Sequence, residues 1–345
     1  MKPSILIIYT GGTIGMKQDP ETLALVPFNF ENILDEVPEL KKFGYRLDTY
    51  SFDPVIDSSD MHPSFWIDLA NLINKQYDNY DGFVVLHGTD TMAFSASALS
   101  FMLKNLEKPV VFTGSQLPIG MLRTDGKENF ISSIEIAAAR RPDGHPFVPE
   151  VCVFFDSQLF RGNRCIKINA ENFTAFESPN YPALAQAGIH IKFNESVIHY
   201  PEHWGRKLKI HTEIDTNVAI LKLFPGITPQ YIDAVLNTDG VRAVILETFG
   251  AGNAPMSEMF LSRVKKCVDR GVVVVNVTQC AMGSVDMSAY ANGVALKNIG
   301  VISGYDITTE SALVKLFCFL GCYNDIETIK NRIMTNIRGE FSKND

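Results

Sequence analysis

Apolar and polar positions alternate along this chain in two rhythms. Continuous apolar runs fall at residues 5–10, 82–87, 110–113 and 151–155, and stretches with apolar residues three and four apart lie at 65–77, 93–103 and 126–139. A short run that is apolar at every position has both faces buried, so these segments predict strands of a parallel sheet. The amphipathic stretches predict the helices that cover it. The rhythm fails between 194 and 212, where Pro201, Trp204, Gly205 and several charges fall together. It resumes as strands at 218–223, 243–246 and 272–277 and helices at 228–236, 257–270, 310–320 and 326–334. The pattern predicts an α/β protein of two α/β domains. A larger N-terminal domain (1–193) carries a mostly parallel sheet flanked by helices, 194–212 is a linker, and 213–345 is a smaller, Rossmann/flavodoxin-like C-terminal domain.

A length of 345 residues fits two domains, and 46% hydrophobic with 20% charged residues is an ordinary globular composition. The net charge is −8, and basic pairs such as Lys41-Lys42, Arg140-Arg141 and Lys265-Lys266 are isolated along the chain. Without a basic stripe, nucleic acid is a poor partner. The first apolar run ends in Gly11-Gly12 with no small-x-small cleavage site, so it reads as a strand and not as a signal peptide. No stretch of roughly 18 apolar residues is present, which argues against a membrane span. The expected location is the cytoplasm. Six cysteines show no CxxC spacing and read as free thiols, and of the seven histidines His199 and His203 alone stand four apart, in a stretch interrupted by Pro201 and joined by no cysteine. No metal and no phosphate cofactor is expected.

Ligands of open α/β sheets sit beyond the carboxyl ends of the strands. Polar segments with that placement fall at 10–14, 57–60, 87–92 and 113–116, all in the first domain. In Thr10-Gly11-Gly12-Thr13-Ile14-Gly15 two adjacent glycines permit a sharp turn and a close approach of backbone to ligand. The spacing is not that of a dinucleotide fingerprint, and no helical pattern follows. The turn presents Thr13, which taken alone is a turn residue more often than a nucleophile. In His87-Gly88-Thr89-Asp90-Thr91-Met92 two hydroxyls and a carboxylate stand together, and Asp90 or Thr91 serves equally as the cap of the following helix. His87 reads as a strand-end residue that positions this loop.

The segments Tyr9-Thr10-Gly11-Gly12-Thr13-Ile14-Gly15 and Gly82-Phe83-Val84-Val85-Leu86-His87-Gly88-Thr89-Asp90-Thr91-Met92 resemble the bacterial-type asparaginase/glutaminase family. Asp57-Ser58-Ser59-Asp60-Met61, Arg161-Gly162-Asn163-Arg164, Gly250-Ala251-Gly252-Asn253-Ala254-Pro255 and Val277-Thr278-Gln279-Cys280 point to its type I, cytoplasmic branch. The likeness covers almost the whole chain. It implies an L-asparagine amidohydrolase without cofactor, in which Thr13 is the nucleophile and forms an acyl-enzyme ester. Thr89 is then the second essential hydroxyl, with Asp90 and Lys167 as its partners. Asp57, Ser58 and Ser59 hold the substrate α-carboxylate, and Asp90 also pairs with its α-ammonium. A homo-oligomer, a tetramer built as a dimer of dimers, is implied as well, with a neighbour's second domain closing each site.

The chemistry agrees with those roles. An alcohol needs activation to attack an amide, and a lysine serves as base only where its surroundings favour the neutral form. Asp90 beside Lys167 favours the charged form, so the proton route stays open at this stage. Backbone N–H groups at the glycine turn and at Thr89 are the natural donors to a developing oxyanion.

Two departures from the family pattern stand out. The tyrosine usual in the loop after the first motif is missing from Glu21-Thr22-Leu23-Ala24-Leu25-Val26-Pro27, where Leu25 takes its place, and Tyr290 is the candidate substitute. Some type I members bind a second asparagine in the second domain through an arginine. Glu247 stands at that position here, and Ile166 replaces a neighbouring threonine. Alternatives to an asparaginase are a glutaminase-asparaginase, the amidase subunit of tRNA-dependent amidation, and a nonenzymatic binder on a similar scaffold.

Overall fold

The computed structural model describes residues 2–18, 22, 25–27, 33 and 37–343. The chain divides into two compact units, Met1–His211 and Thr212–Asp345.

In the first unit, strands β1 (Ser4–Tyr9), β2 (Arg46–Ser51), β3 (Gly82–Leu86), β4 (Val110–Thr113) and β5 (Val151–Phe155) pair in parallel. Antiparallel strands β6 (Gln158–Arg161), β7 (Ala185–Gln186) and β8 (Lys192–Phe193) extend the sheet beyond β5. The spatial order is β8-β7-β6-β5-β4-β3-β1-β2. Strand β3 is buried at every position and β1 at all but its first, as their apolar sequences require. Helices α1 (Pro63–Gln76), α2 (Met92–Met102) and α3 (Gly126–Ala138) connect the parallel strands. Because β2 and β3 lie on opposite sides of β1, the winding reverses there. Such a reversal opens a crevice at the carboxyl ends of the strands on either side of it.

The segment expected to be a linker lies within the first unit up to His211. It lacks apolar periodicity because polar groups hold much of it. His199 N–H donates to Glu150 at 2.6 Å, and the N–H groups of Gly205 and Arg206 each donate to Glu107 at 2.8 Å. Lys209-Ile210 then pairs with Leu103-Lys104.

The second unit has four parallel strands, β9 (Val218–Lys222), β10 (Ala243–Thr248), β11 (Val273–Thr278) and β12 (Ile302–Ser303), in sequential order. Helices α4 (Pro229–Leu236), α5 (Glu258–Asp269) and α6 (Ala291–Asn298) are the crossovers, which the right-handed rule places on one face. Ile232, Phe260, Val264 and Leu296 from these helices share a core with Leu221, Val244 and Val274. Helices α7 (Thr309–Cys322) and α8 (Ile326–Ile333) cover the opposite face, where Leu316, Leu320 and Ile329 meet Ile245 and Val275. Tyr290 immediately precedes α6 and is 58% exposed. Among the described residues no helix is long and apolar enough to cross a membrane.

Candidate active site

The turn after β1 needs its glycines for steric reasons. Gly11 and Gly12 both have positive φ, 134° and 92°. A Cβ on Gly11 would stand 2.1 Å from the Ile56 carbonyl oxygen, and one on Gly12 would stand 2.6 Å from the Gly88 Cα. Thr13–Gly15 then forms a single 3-10 turn, closed by Gly15 N–H donating to Gly12 O at 3.2 Å. Thr13 is half-buried. The Gly12–Gly88 approach brings the turn that carries Thr13 against the turn that carries Thr89. Two segments 76 residues apart in sequence thus meet at the crevice between β1 and β3.

The loop after β2 joins them. Ile56 N–H donates to Thr10 O at 2.8 Å, which ties this loop to the end of β1. The Asp57 carboxylate accepts from both the N–H and the hydroxyl of Ser59, each at 2.9 Å, and so caps the 3-10 turn Ser58–Asp60. Those two bonds, the backbone one first, hold the Asp57 carboxyl below its ordinary range. Ser58 is buried against Gly88, and Thr91 donates its hydroxyl to Ser58 O at 2.7 Å. Thr91 occupies the cap position of α2, yet its side chain makes no capping bond to the helix. The hydroxyl that a helix start would ordinarily use fixes the neighbouring loop instead.

Lys167 arrives from the short antiparallel pair Ile166-Lys167 with Phe176-Glu177. Its Nζ donates to Thr89 Oγ1 at 2.8 Å and to Asp90 Oδ1 at 2.6 Å. The lysine side chain is 19% exposed and the aspartate 61%, so the pair sits at the mouth of the crevice. Thr89 in turn donates to Gln116 Oε1 at 3.4 Å, and Gln116 Nε2 donates to the Asn172 carbonyl at 3.0 Å. The buried part of the Gln116 loop is held by Asp125, whose carboxylate accepts from the Gln116 and Leu117 N–H groups. Burial raises the Asp125 carboxyl above its ordinary range.

Of the residues singled out from sequence, Thr89, Asp90 and Lys167 are in direct contact. Ser58 and Thr13 join them through their loops. Gln116 was seen only as part of a polar strand end, and its contact with Thr89 is a tertiary one that sequence spacing does not reveal. In the 21–27 segment, Glu21, Leu23 and Ala24 lie outside the described residues, and Leu25–Pro27 pairs with Met16–Gln18.

A crevice at a winding reversal that gathers strand-end threonines, a carboxylate and a lysine bonded to one hydroxyl defines a hydroxyl-based acyl-transfer site. Residues 4–199 match the family described as Asparaginase, N-terminal, and residues 217–333 match the Glutaminase/Asparaginase C-terminal domain. The chain belongs to the asparaginase family. It is 43% identical to L-asparaginase 1 of Escherichia coli K12, across 100% of this chain and 99% of that one. It is 39% identical to the 60 kDa lysophospholipase of Mus musculus, across 98% of this chain and 62% of that one. The crystal structure of L-asparaginase I from Vibrio cholerae superposes with a TM-score of 0.90 at 41% identity, covering 99% of this chain and all of that one.

Proposed function

We propose that the chain hydrolyses the side-chain amide of L-asparagine to L-aspartate and ammonia through a threonine nucleophile. The observation that carries this reading is the bonding of Lys167 to both Thr89 and Asp90 beside the Thr13 turn. Thr13 Oγ1 attacks the amide carbon, the carbon–nitrogen bond breaks, and the nitrogen leaves as ammonia with the proton that Thr13 gives up. The aspartyl ester on Thr13 is then cleaved by water. Thr89 and Lys167 carry the proton between hydroxyl and leaving nitrogen. Backbone N–H groups of the two turns meet the oxygen that gains charge.

Substrate orientation follows from charge. Asp90, exposed at the mouth, receives the α-ammonium, and the Ser58-Ser59 turn receives the α-carboxylate. Asp57 acts on that carboxylate indirectly. Its own negative charge would repel it, and its oxygen is already engaged in holding Ser59.

Relatives that bear the name L-asparaginase over their full length support asparagine as the substrate. The test is ammonia release by the purified chain from L-asparagine and L-glutamine in parallel. Faster turnover of asparagine agrees with the reading, and no release from either amide overturns it.

The reading extends to the cytoplasm, where six free cysteines are at ease. It also extends to a homo-oligomer, a dimer of dimers. Exposed Ile220 on edge strand β9, with Phe224 and Tyr231 in edge-to-face contact beyond it, is apolar surface of the kind that partners cover. Light scattering that finds only a 38.4 kDa monomer at micromolar concentration overturns the oligomer.

A further inference from the structure

Each of the two site threonines follows a glycine whose carbonyl oxygen is held by a buried ring from the end of the preceding strand. Tyr9, the last residue of β1, donates its hydroxyl to Gly12 O at 3.3 Å. His87, the first residue beyond β3, meets Gly88 O through Nδ1 at 2.7 Å. Both side chains belong to residues that are only 1% exposed. A carbonyl oxygen only accepts, so Nδ1 carries the imidazole proton and Nε2 is the bare nitrogen. Nε2 is buried and has no hydrogen-bond partner among the described residues. Among the described residues, the polar interaction of the His87 ring is therefore the one to Gly88.

A peptide group is planar and trans, so the carbonyl oxygen of a glycine and the N–H of the next residue point to opposite sides. Holding Gly12 O toward the Tyr9 ring turns the Thr13 N–H away from it. Holding Gly88 O toward the His87 ring does the same for the Thr89 N–H. The surroundings leave little freedom for either peptide. A Cβ on Gly15 would fall 2.2 Å from the Tyr9 ring, one on Gly88 would fall 2.4 Å from Ser58 Oγ, and one on Gly114 would fall 2.4 Å from His87 O. With the Gly12–Gly88 approach, all four strand-end loops touch at backbone distance, so a tilt in one peptide is passed to the others.

We infer that Tyr9 and His87 are a matched pair of positioning residues that aim the Thr13 and Thr89 N–H groups at the substrate oxygen on which charge develops. The inference rests on the function proposed above. Neither side chain touches a reacting atom in this arrangement; each acts through one glycine carbonyl. Burial keeps both in the neutral, donating form, raising the phenol to about 12 and lowering the imidazole to about 4.

Three variants of the full chain test the pair: Tyr9→Phe, His87→Leu and His87→Asn. Phenylalanine removes only the hydroxyl. Leucine fills the imidazole volume without a donor, and the asparagine amide nitrogen falls close to the position of Nδ1. Misaimed donors slow the chemical step more than they weaken substrate binding. The expected result is a fall in kcat of about tenfold or more for Tyr9→Phe and His87→Leu, with KM within about twofold of wild type. His87→Asn should recover at least about fivefold of the kcat that His87→Leu loses. Wild-type kcat in Tyr9→Phe, or equal kcat in the Asn and Leu variants, overturns the inference. So does a loss of kcat that merely tracks the loss of thermal midpoint. If His87→Leu does not fold, His87→Gln replaces it, because its amide reaches the Nε2 position instead. Failure of the function itself has a different signature, since then wild type releases no ammonia or Thr13→Val retains full activity.

Discussion

Replacing Lys167 by methionine separates catalysis from stability in a single change. The lysine gives one hydrogen bond to Thr89 Oγ1 and one to Asp90 Oδ1, and methionine keeps the stem while losing both. Asp90 is 61% exposed, so water takes the place of the ammonium around its carboxylate. An ion pair in that setting contributes at most about 1 kcal/mol to folding. The effect on rate is larger, because a positioned proton-transfer group contributes about 10²–10⁴-fold, or roughly 3–5 kcal/mol of barrier. The assay is initial-rate ammonia release coupled to NADH oxidation, read beside a thermal melt of the same preparation. The expected outcome is a kcat lower by that factor with a thermal midpoint shifted by no more than a few degrees. A loss of less than about threefold would remove Lys167 from the proton path. An equally deep loss of stability would mean that the lysine holds the loop and not the reaction.

Two further predictions concern other parts of the chain. Burial lowers the His87 imidazole from 6.5 to about 4, so below pH 6.5 the unfolded chain takes up a proton that the folded chain refuses. Stability is therefore lost as pH falls through that window, by about 3 kcal/mol in all, and levels off below it. His87→Asn removes this contribution, so its urea midpoint should fall less than that of wild type between pH 7 and pH 4.5, and equal falls would contradict the assignment. In the second unit Glu247 accepts from Thr309 at 2.7 Å and faces Lys222 at 3.7 Å, so a carboxylate paired with that lysine stands where a second amino acid's carboxylate would need a free cation. Initial rate should then rise hyperbolically with asparagine; a clearly sigmoidal curve would show a second site built in another way.

The strands that carry the site were legible because they are buried on both faces. Residues 82–86 and 110–113 are apolar at nearly every position, and runs that short are of strand length and fit a strand buried on both faces. Strand β2, Arg-Leu-Asp-Thr-Tyr-Ser at 46–51, was not, because it pairs only with β1 and exposes its ends, so its composition is that of a surface. Strands β7 and β8 are two residues long and are defined by their partners, not by any periodicity of their own. Helix α6 was hidden by Gly293, which a sequence reading treats as a breaker. Here it lets the helix pass Met287 at a distance where a Cβ would lie 2.8 Å from backbone.

In the candidate site, Thr13, Thr89 and Asp90 drew notice from their place after apolar strands, whereas their roles, and that of Ser58, came from likeness to a family. Lys167 was reached only through likeness to a family, since 78 residues separate it from Thr89 and its strand has two residues. Tyr9 counted as a core position by its apolar neighbours, and His87 as a loop-positioning residue. What each ring holds depends on the turn that follows, which no one-dimensional pattern records.

The most direct test of the account is to catch the covalent step. Wild-type protein turning over L-asparagine is quenched in acid, digested and mapped by mass spectrometry, with Thr13→Val treated in the same way. The account predicts one aspartyl group on the peptide that contains Thr13, bound as an ester that hydroxylamine removes. It predicts neither adduct nor turnover in Thr13→Val. An adduct on another residue, or ammonia release at the wild-type rate by Thr13→Val, would contradict it.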